Sequence, residues 1–364
     1  MDLALHICGP GCAPACDAQA RAVRAAARRD RRQLTIDMHC HALAPAVEPL
    51  VAGHPGKQAE WAAFTKAQGD ASNAHNARVM LPQAEPRLTN LAQRLADMDA
   101  MGVDIQVLSP SPAQNCYWAE PELAREVVRL QNEAIAEACA AHPDRLLGFA
   151  NVAMQHPALA AEQLTHAMKQ WGFRGVQIST LIDGVDLSDP KFAPFWARAE
   201  ELGAVVFIHP FGTTLGQRLD QWYLFNVVGQ PLETTLALSH LIFGGVLDRH
   251  EKLKILAAHG GGYLPSYIGR AEHGYRVRPE AGTLRHRPAE YLRRQIWMDT
   301  LVCEPAVLDH LIRQYGASRL VVGTDYPFDM GAYDIHAMLD AIPELDAAQR
   351  EAILGGNARG LLGM

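Results

Sequence analysis

No apolar run in this chain approaches the ~20 residues that a bilayer-spanning helix needs, so no membrane span is expected. The opening stretch, MDLALHICGPGCAPACDAQ, has neither a basic start nor a long apolar core. That makes it a poor signal peptide, and the expected address is the cytoplasm. Positive charge is not in excess. Lys and Arg number 33 against 40 Asp and Glu, a net charge of -7, which speaks against nucleic acid or an anionic membrane as partner. Paired cysteines are lacking too. Seven is an odd number, and the four beyond the opening stretch (Cys40, Cys116, Cys139, Cys303) are scattered, unlike a disulfide framework. Cys8, Cys12 and Cys16, with His6 nearby, could hold a soft metal, but their spacing matches no zinc or cluster pattern. Residues 1–34 therefore read as a weakly ordered extension. There is no internal repeat.

What is present from Leu34 onward is alternation. Eight short β-branched or apolar runs read as strands: 34–38, 103–109, 146–152, 174–179, 204–209, 253–259, 295–300 and 319–325. Helical patterns lie between them. PELAREVVRLQNEAIAEACAAH, from Pro121, and LAAEQLTHAMKQWG, from Leu159, carry apolar residues at three- and four-residue spacing. The second of these, PFWARAEELG and AVLDHLIRQYG all stop on glycine, a usual C-terminal signal. Near-continuous apolar strands alternating with helices imply a parallel sheet covered on both faces. Eight such units over 35–364 predict one (β/α)8 TIM barrel. An open doubly wound sheet is the alternative, but no GxGxxG follows the first strand. Two stretches break the repeat, about 44–90 after the first strand and 210–232 after the fifth. Loops of such length are usually functional lids or disordered.

Barrel enzymes build their sites at the C-terminal ends of the strands. The first strand of this chain ends in HCH, placing His39 and His41 on one side, since strand side chains alternate. The fifth ends at His209, the sixth at His259 and the eighth at Asp325. One histidine at a strand end is more often a satisfied polar residue than a ligand, and Asp325 alone could be a helix cap. Four strand ends carrying such groups together point to a metal centre. Imidazole with carboxylate suits Zn2+, with Mn2+, Fe2+ or Co2+ as alternatives. The fourth strand ends GVQIST without a Lys, Asp or Glu to bridge two ions, so one ion per chain is expected, held by His39, His41, His209 and Asp325. His259 is left free as general acid/base. Asp299 in WMDT reads either as a group orienting a ligand or as a plain turn aspartate. Gly260, Gly261 and Gly262 allow close backbone approach. Cys40, Trp171 and Met154 read as packing residues.

These ligands resemble those of the amidohydrolase superfamily. LADMDAMGVDIQVLS, HPDRLLGFANVAMQHP, GFRGVQIST, HGGGYLPSYIGRAEHGYRVRP and GTDYPFDMG are similar to the 2-amino-3-carboxymuconate 6-semialdehyde decarboxylase family over nearly everything from Thr35 onward. The resemblance implies one zinc ion on the same four residues, with His259 as the proton-handling histidine; Asp325 is expected to be catalytic beside it, as a partner in moving protons. It also implies a homodimer in which Arg270 reaches the neighbouring site to bind a substrate carboxylate. A second substrate arginine, within a run like FRVVREN in the family, has its best counterpart in Arg78, with Arg87 weaker. A pocket tryptophan of some members falls against Phe225 or Asn226, and Trp222 stands close enough to replace it.

Two chemistries share such a centre. In one, a nonoxidative decarboxylase (carboxy-lyase) takes a small unsaturated or aromatic carboxylic acid, anchored by arginines whose planar forks suit carboxylates. In the other, a hydrolase or hydratase uses the metal to activate water. A binding protein with a degenerate site is disfavoured, because all five inner residues are present.

Overall fold

The computed structural model describes residues 33–364, so Cys8, Cys12, Cys16 and nearly all of the expected extension lie outside the described residues. Eight parallel strands run in chain order around the sheet: β1 (Ile36–Ala42), β2 (Ile105–Pro110), β3 (Leu146–Ala150), β4 (Gly175–Ile178), β5 (Val205–Ile208), β6 (Lys254–Ala257), β7 (Ile296–Asp299) and β8 (Leu320–Val321). The last meets the first. Met38 N–H donates to the Val322 carbonyl at 2.8 Å, and Asp325 N–H donates to the His39 carbonyl at 2.8 Å. The result is the predicted TIM barrel. Regular strand geometry of β8 stops at Val321, and residues 322–326 continue the closure through isolated bridges instead.

The helices follow their sequence signals. Helix Pro121–Ala141 opens on proline at its first turn and buries Ala124, Val127, Val128, Gln131, Ile135 and Ala138. Helix Leu91–Met101 starts from the Asn90 side chain, which accepts the Gln93 N–H, and stops at Gly102 in the left-handed conformation.

Inside the barrel, Ile36, Met38, Val107, Phe149, Val205, Phe207, Leu256 and Val321 form an apolar plug without solvent exposure. Each such large side chain contributes roughly 1.5–3 kcal/mol of burial. A bulge in β1 sets what lies above the plug. From Asp37 to Cys40 the strand advances three residues while β2 advances two, from Gln106 to Leu108. The extra residue lets Met38 join the plug while His39 and His41 also face inward, and it turns Asp37 and Cys40 to the outside. Cys40 is packed there, as expected.

The first insertion differs from the expected loop. It is helical over Val47–Val51, Pro55–Gln68, Asp70–His75, Asn76–Met80 and Leu81–Thr89. Helix Pro55–Gln68 buries only Gln68, so it has no apolar stripe that periodicity could reveal. The second insertion is partly helical also, over Gly216–Leu219 and Phe225–Gly229. The two pack on each other. Phe64 stacks on Phe211 with ring centres 4.8 Å apart and meets Phe225 edge-on at 5.0 Å. Gly69 lies so close to the Asp220 carbonyl that a Cβ there would sit 1.8 Å from the oxygen.

Candidate active site

His39, His41, His209 and Asp325 each bring a donor atom to one point, all within 4.8 Å of one another. None is more than 8% exposed. The imidazole centres of His39, His41 and His209 are 4.7 to 5.2 Å apart and cross at steep angles. Asp325 Oδ1 lies 3.3 Å from His39 Nε2 and 3.1 Å from His41 Nε2. These contacts lack hydrogen-bond geometry. His39 Nε2, both ring nitrogens of His41 and His209, and Asp325 Oδ1 are buried without a hydrogen-bond partner. Buried polar atoms are rarely left so. Lone pairs aimed at one centre suit a cation, and three imidazoles with one carboxylate suit Zn2+ or Mn2+.

Local structure holds these groups. Asp299, at the end of β7 and fully buried, lies 2.6 Å from His39 Nδ1. It also accepts the N–H groups of His259, Gly260 and Leu301. The orienting reading of Asp299 therefore holds over the plain turn. It holds the Nδ1–H of His39 and turns Nε2 inward, so that Nε2 is the atom that would give up its proton to a metal.

A second network grips the strands from outside. Asp37 accepts from Thr324 N–H and Oγ1, from His39 N–H and from Gln106 Nε2. Arg94, 1% exposed, donates to Gln106 Oε1 at 2.9 Å and to the His41 carbonyl at 2.5 Å. Arg94 is a residue that the strand-end pattern does not point to. Its three-residue step from Leu91 and four-residue step to Met98 place it on the buried stripe, which was the available signal.

Electrostatics follow from burial. His41 and His209 are pushed down by desolvation, His209 well below its ordinary value. For His39 burial is outweighed by the Asp325 charge and the Asp299 contact, which hold it up to about 10. Burial would raise Asp325, but the neighbouring histidines, His39 first, keep it well below the usual carboxylate range.

His259 stands beside this group rather than in it. Its Nε2 is 3.9 Å from Asp325 Oδ2, its side chain is partly open to solvent, and its backbone is left-handed at φ 56. Asp325 has the same φ, a strain that tightly determined sites tolerate. Gly262, three residues on, packs so tightly that a Cβ would lie 2.2 Å from the Pro231 carbonyl oxygen.

The substrate residues expected from sequence are not gathered in this way. Arg270, on helix Ile268–Val277, and Arg78, in Asn76–Met80, are exposed, and neither side chain forms a hydrogen bond or ion pair among the described residues. Arg87 is tied to Asp97 at 3.1 Å and to the Gln83 carbonyl at 2.7 Å, a structural placement. Trp222 is 83% exposed, while Asn226 is half-buried. The positive φ of Trp222 and Tyr223 turns the chain so that Tyr223 is the half-buried one. Burial raises its phenol, and Asp329 and Asp325 add to the shift.

Comparison with known proteins agrees with this geometry. The amidohydrolase family model matches residues 36–364. The chain belongs to the amidohydrolase family. Among its relatives is the 2-amino-3-carboxymuconate-6-semialdehyde decarboxylase of Dictyostelium discoideum, 37% identical over 273 residues, 74% of this chain and 76% of that protein. Another is the gamma-resorcylate decarboxylase of Rhodococcus jostii, 29% identical and covering 65% of this chain and 77% of that protein. The same amidohydrolase barrel occurs in 5-carboxyvanillate decarboxylase of Novosphingobium aromaticivorans, crystallised with manganese and 4-hydroxy-3-methoxy-5-nitrobenzoic acid. That structure aligns with a TM-score of 0.79 at 22% identity over 92% of this chain and 97% of its own.

Proposed function

We propose that this chain is a metal-dependent nonoxidative decarboxylase of a small aromatic or unsaturated carboxylic acid. The observation that carries it is the set of buried, unpartnered donor atoms on His39, His41, His209 and Asp325, all within 4.8 Å. These residues hold one divalent ion, with Zn2+ as the metal the donor set favours and Mn2+ as its competitor. Bound there, the ion acts as a Lewis acid for the substrate's oxygens.

The protein's own groups do the rest. The apolar plug below and the paired insertions above exclude water, so charges act in a medium of low polarity. His259, on the open side of Asp325, gives its proton to the carbon that bears the carboxylate. The bond from that carbon to the carboxyl carbon then breaks, its electron pair stays with the ring or polyene, and CO2 leaves. Proton and charge balance: one carboxylate and one proton give one C–H product and one CO2.

Arg270 and Arg78 anchor the acid groups of the substrate. Arg270 does so in the site of a second copy, making the working unit a homodimer. The exposed Tyr263 and Tyr267, on the same segment as Arg270, give that contact its apolar surface.

The test is CO2 release by metal-loaded and metal-stripped protein across aromatic, pyridine and muconate-type carboxylic acids. Metal-dependent CO2 from one or more of them is the expected result. No CO2 from any acid, together with metal-dependent consumption of lactones or amides, would instead establish a hydrolase.

A further inference from the structure

The barrel wall carries a second cavity, on the opposite side of β1 from the metal ligands. It has a volume of about 230 Å3 and lies between the ends of β1 and β2, helix Leu91–Met101 and helix Pro121–Ala141. Ala42, Leu88, Leu91, Leu108, Ile135 and Ala138 give it apolar walls. Arg94 lines it too. Three guanidinium hydrogen bonds go to Gln106 Oε1 and to the carbonyls of His41 and Arg87. A guanidinium offers five N–H donors, and among the described residues no carboxylate pairs with this one. The guanidinium also lies 4.8 Å from the Tyr326 ring centre, so all its partners are neutral, and a buried cation held by neutral groups gains from an anion brought to it. Glu137, the other charged residue of the lining, is exposed to water, which screens it.

We propose that this cavity binds a single-ring aromatic carboxylate, ring against the leucines and acid group on Arg94. Size agrees, since an apolar cavity of about 150 Å3 already takes benzene, leaving room here for a substituted ring. The site is coupled to the metal centre. Arg94 holds the carbonyl of His41 at 2.5 Å, and Ala42, the next residue, is cavity wall. A ligand that draws Arg94 toward itself loosens the peptide carrying a metal ligand, and by reciprocity metal loading weakens the ligand.

The experiment uses 4-fluorobenzoate as probe, followed by fluorine NMR on the full chain with and without metal. Wild type is set beside Ala134→Phe, which fills the cavity from its half-buried helix face. Saturable binding to metal-stripped wild type is expected, weakened at least about tenfold in Ala134→Phe. Saturating probe weakens zinc binding to wild type by about fivefold, near the low end for coupled sites, and leaves that of the variant unchanged. Should Ala134→Phe lose its circular dichroism spectrum, Leu91→Trp fills the same space from the neighbouring helix. Equal binding by wild type and a folded filling variant would overturn the proposal. So would binding seen only with metal present, which would put the probe at the metal centre.

Discussion

At the floor of the site every supporting group is tied, whereas Arg78 and Arg270, the cations we propose for the substrate at its mouth, end in water. Asp299, Asp37, Gln106 and Arg94 are no more than 1% exposed and hydrogen-bonded to backbone or side chains that carry the ligands. Arg78, Arg270 and Trp222 are exposed, on an insertion or a helix beyond the barrel proper. The floor can be complete within one chain, while the mouth needs substrate, and in our proposal a second copy, before its side chains have anything to hold. The difference teaches where chemistry and specificity reside. The grouped metal-type donors belong to the strands and their closure; in our proposal the choice of acid belongs to the first insertion and to the helix that carries Arg270.

Five experiments sharpen or break this contrast. The largest effect is expected from His209→Ala. Loss of one of the four proposed ligands should abolish stoichiometric bound metal, read by elemental analysis, and lower CO2 release by about three orders of magnitude or more. Retained zinc and activity would dissolve the floor as a metal site. Next comes Asp299→Asn, which keeps the shape but removes the charge behind His39; metal affinity measured by chelator competition should fall about 10- to 100-fold.

Acidity gives the third. In the metal-free protein His39 keeps a proton up to about pH 10, and metal must displace it. His41 and His209 are already neutral near pH 7, because burial lowers both. One proton is therefore released per ion, and metal affinity should rise about tenfold per pH unit from neutral toward 10. The sign for stability runs the other way. A raised histidine stabilises the metal-free fold fully below its unfolded value near 6.5 and loses that contribution as pH climbs to about 10. Thermal denaturation of stripped protein should show this decline, and loaded protein should not.

The mouth supplies the smallest effects. Arg270→Ala should raise KM by about tenfold or more with little change in zinc content, as for a lost charge-assisted hydrogen bond. Trp222→Ala, at an exposed position, should change stability by less than about 0.5 kcal/mol and leave KM alone.

The same division explains what could be read from the chain alone. Barrel strands announce themselves by continuous apolar runs, and His39, His41, His209, His259 and Asp325 stand at their ends, so the floor was legible. Asp299 was half legible, because an aspartate after a strand fits both a turn and a ligand partner until the partner is seen at 2.6 Å. The mouth was not. Helix Pro55–Gln68 has no buried stripe to betray it, and the burial of Tyr223 rather than Trp222 goes with two left-handed backbone angles that no pattern of residue types encodes. Arg94 was hidden for a third reason: a charge on a buried face looks like an error in the stripe until its acceptors are known.

The closure of the barrel has a consequence for the order of events during synthesis. Thr324 bonds Asp37 across 287 residues, and its neighbour Asp325 completes the ligand set begun at His39. Contacts so distant in the chain form late and slowly. A nascent polypeptide emerging from the ribosome holds its three histidines long before the aspartate appears, and so cannot assemble the four-ligand centre. The four-donor set exists only once the two ends of the barrel have found each other, so metal content would report a closed barrel.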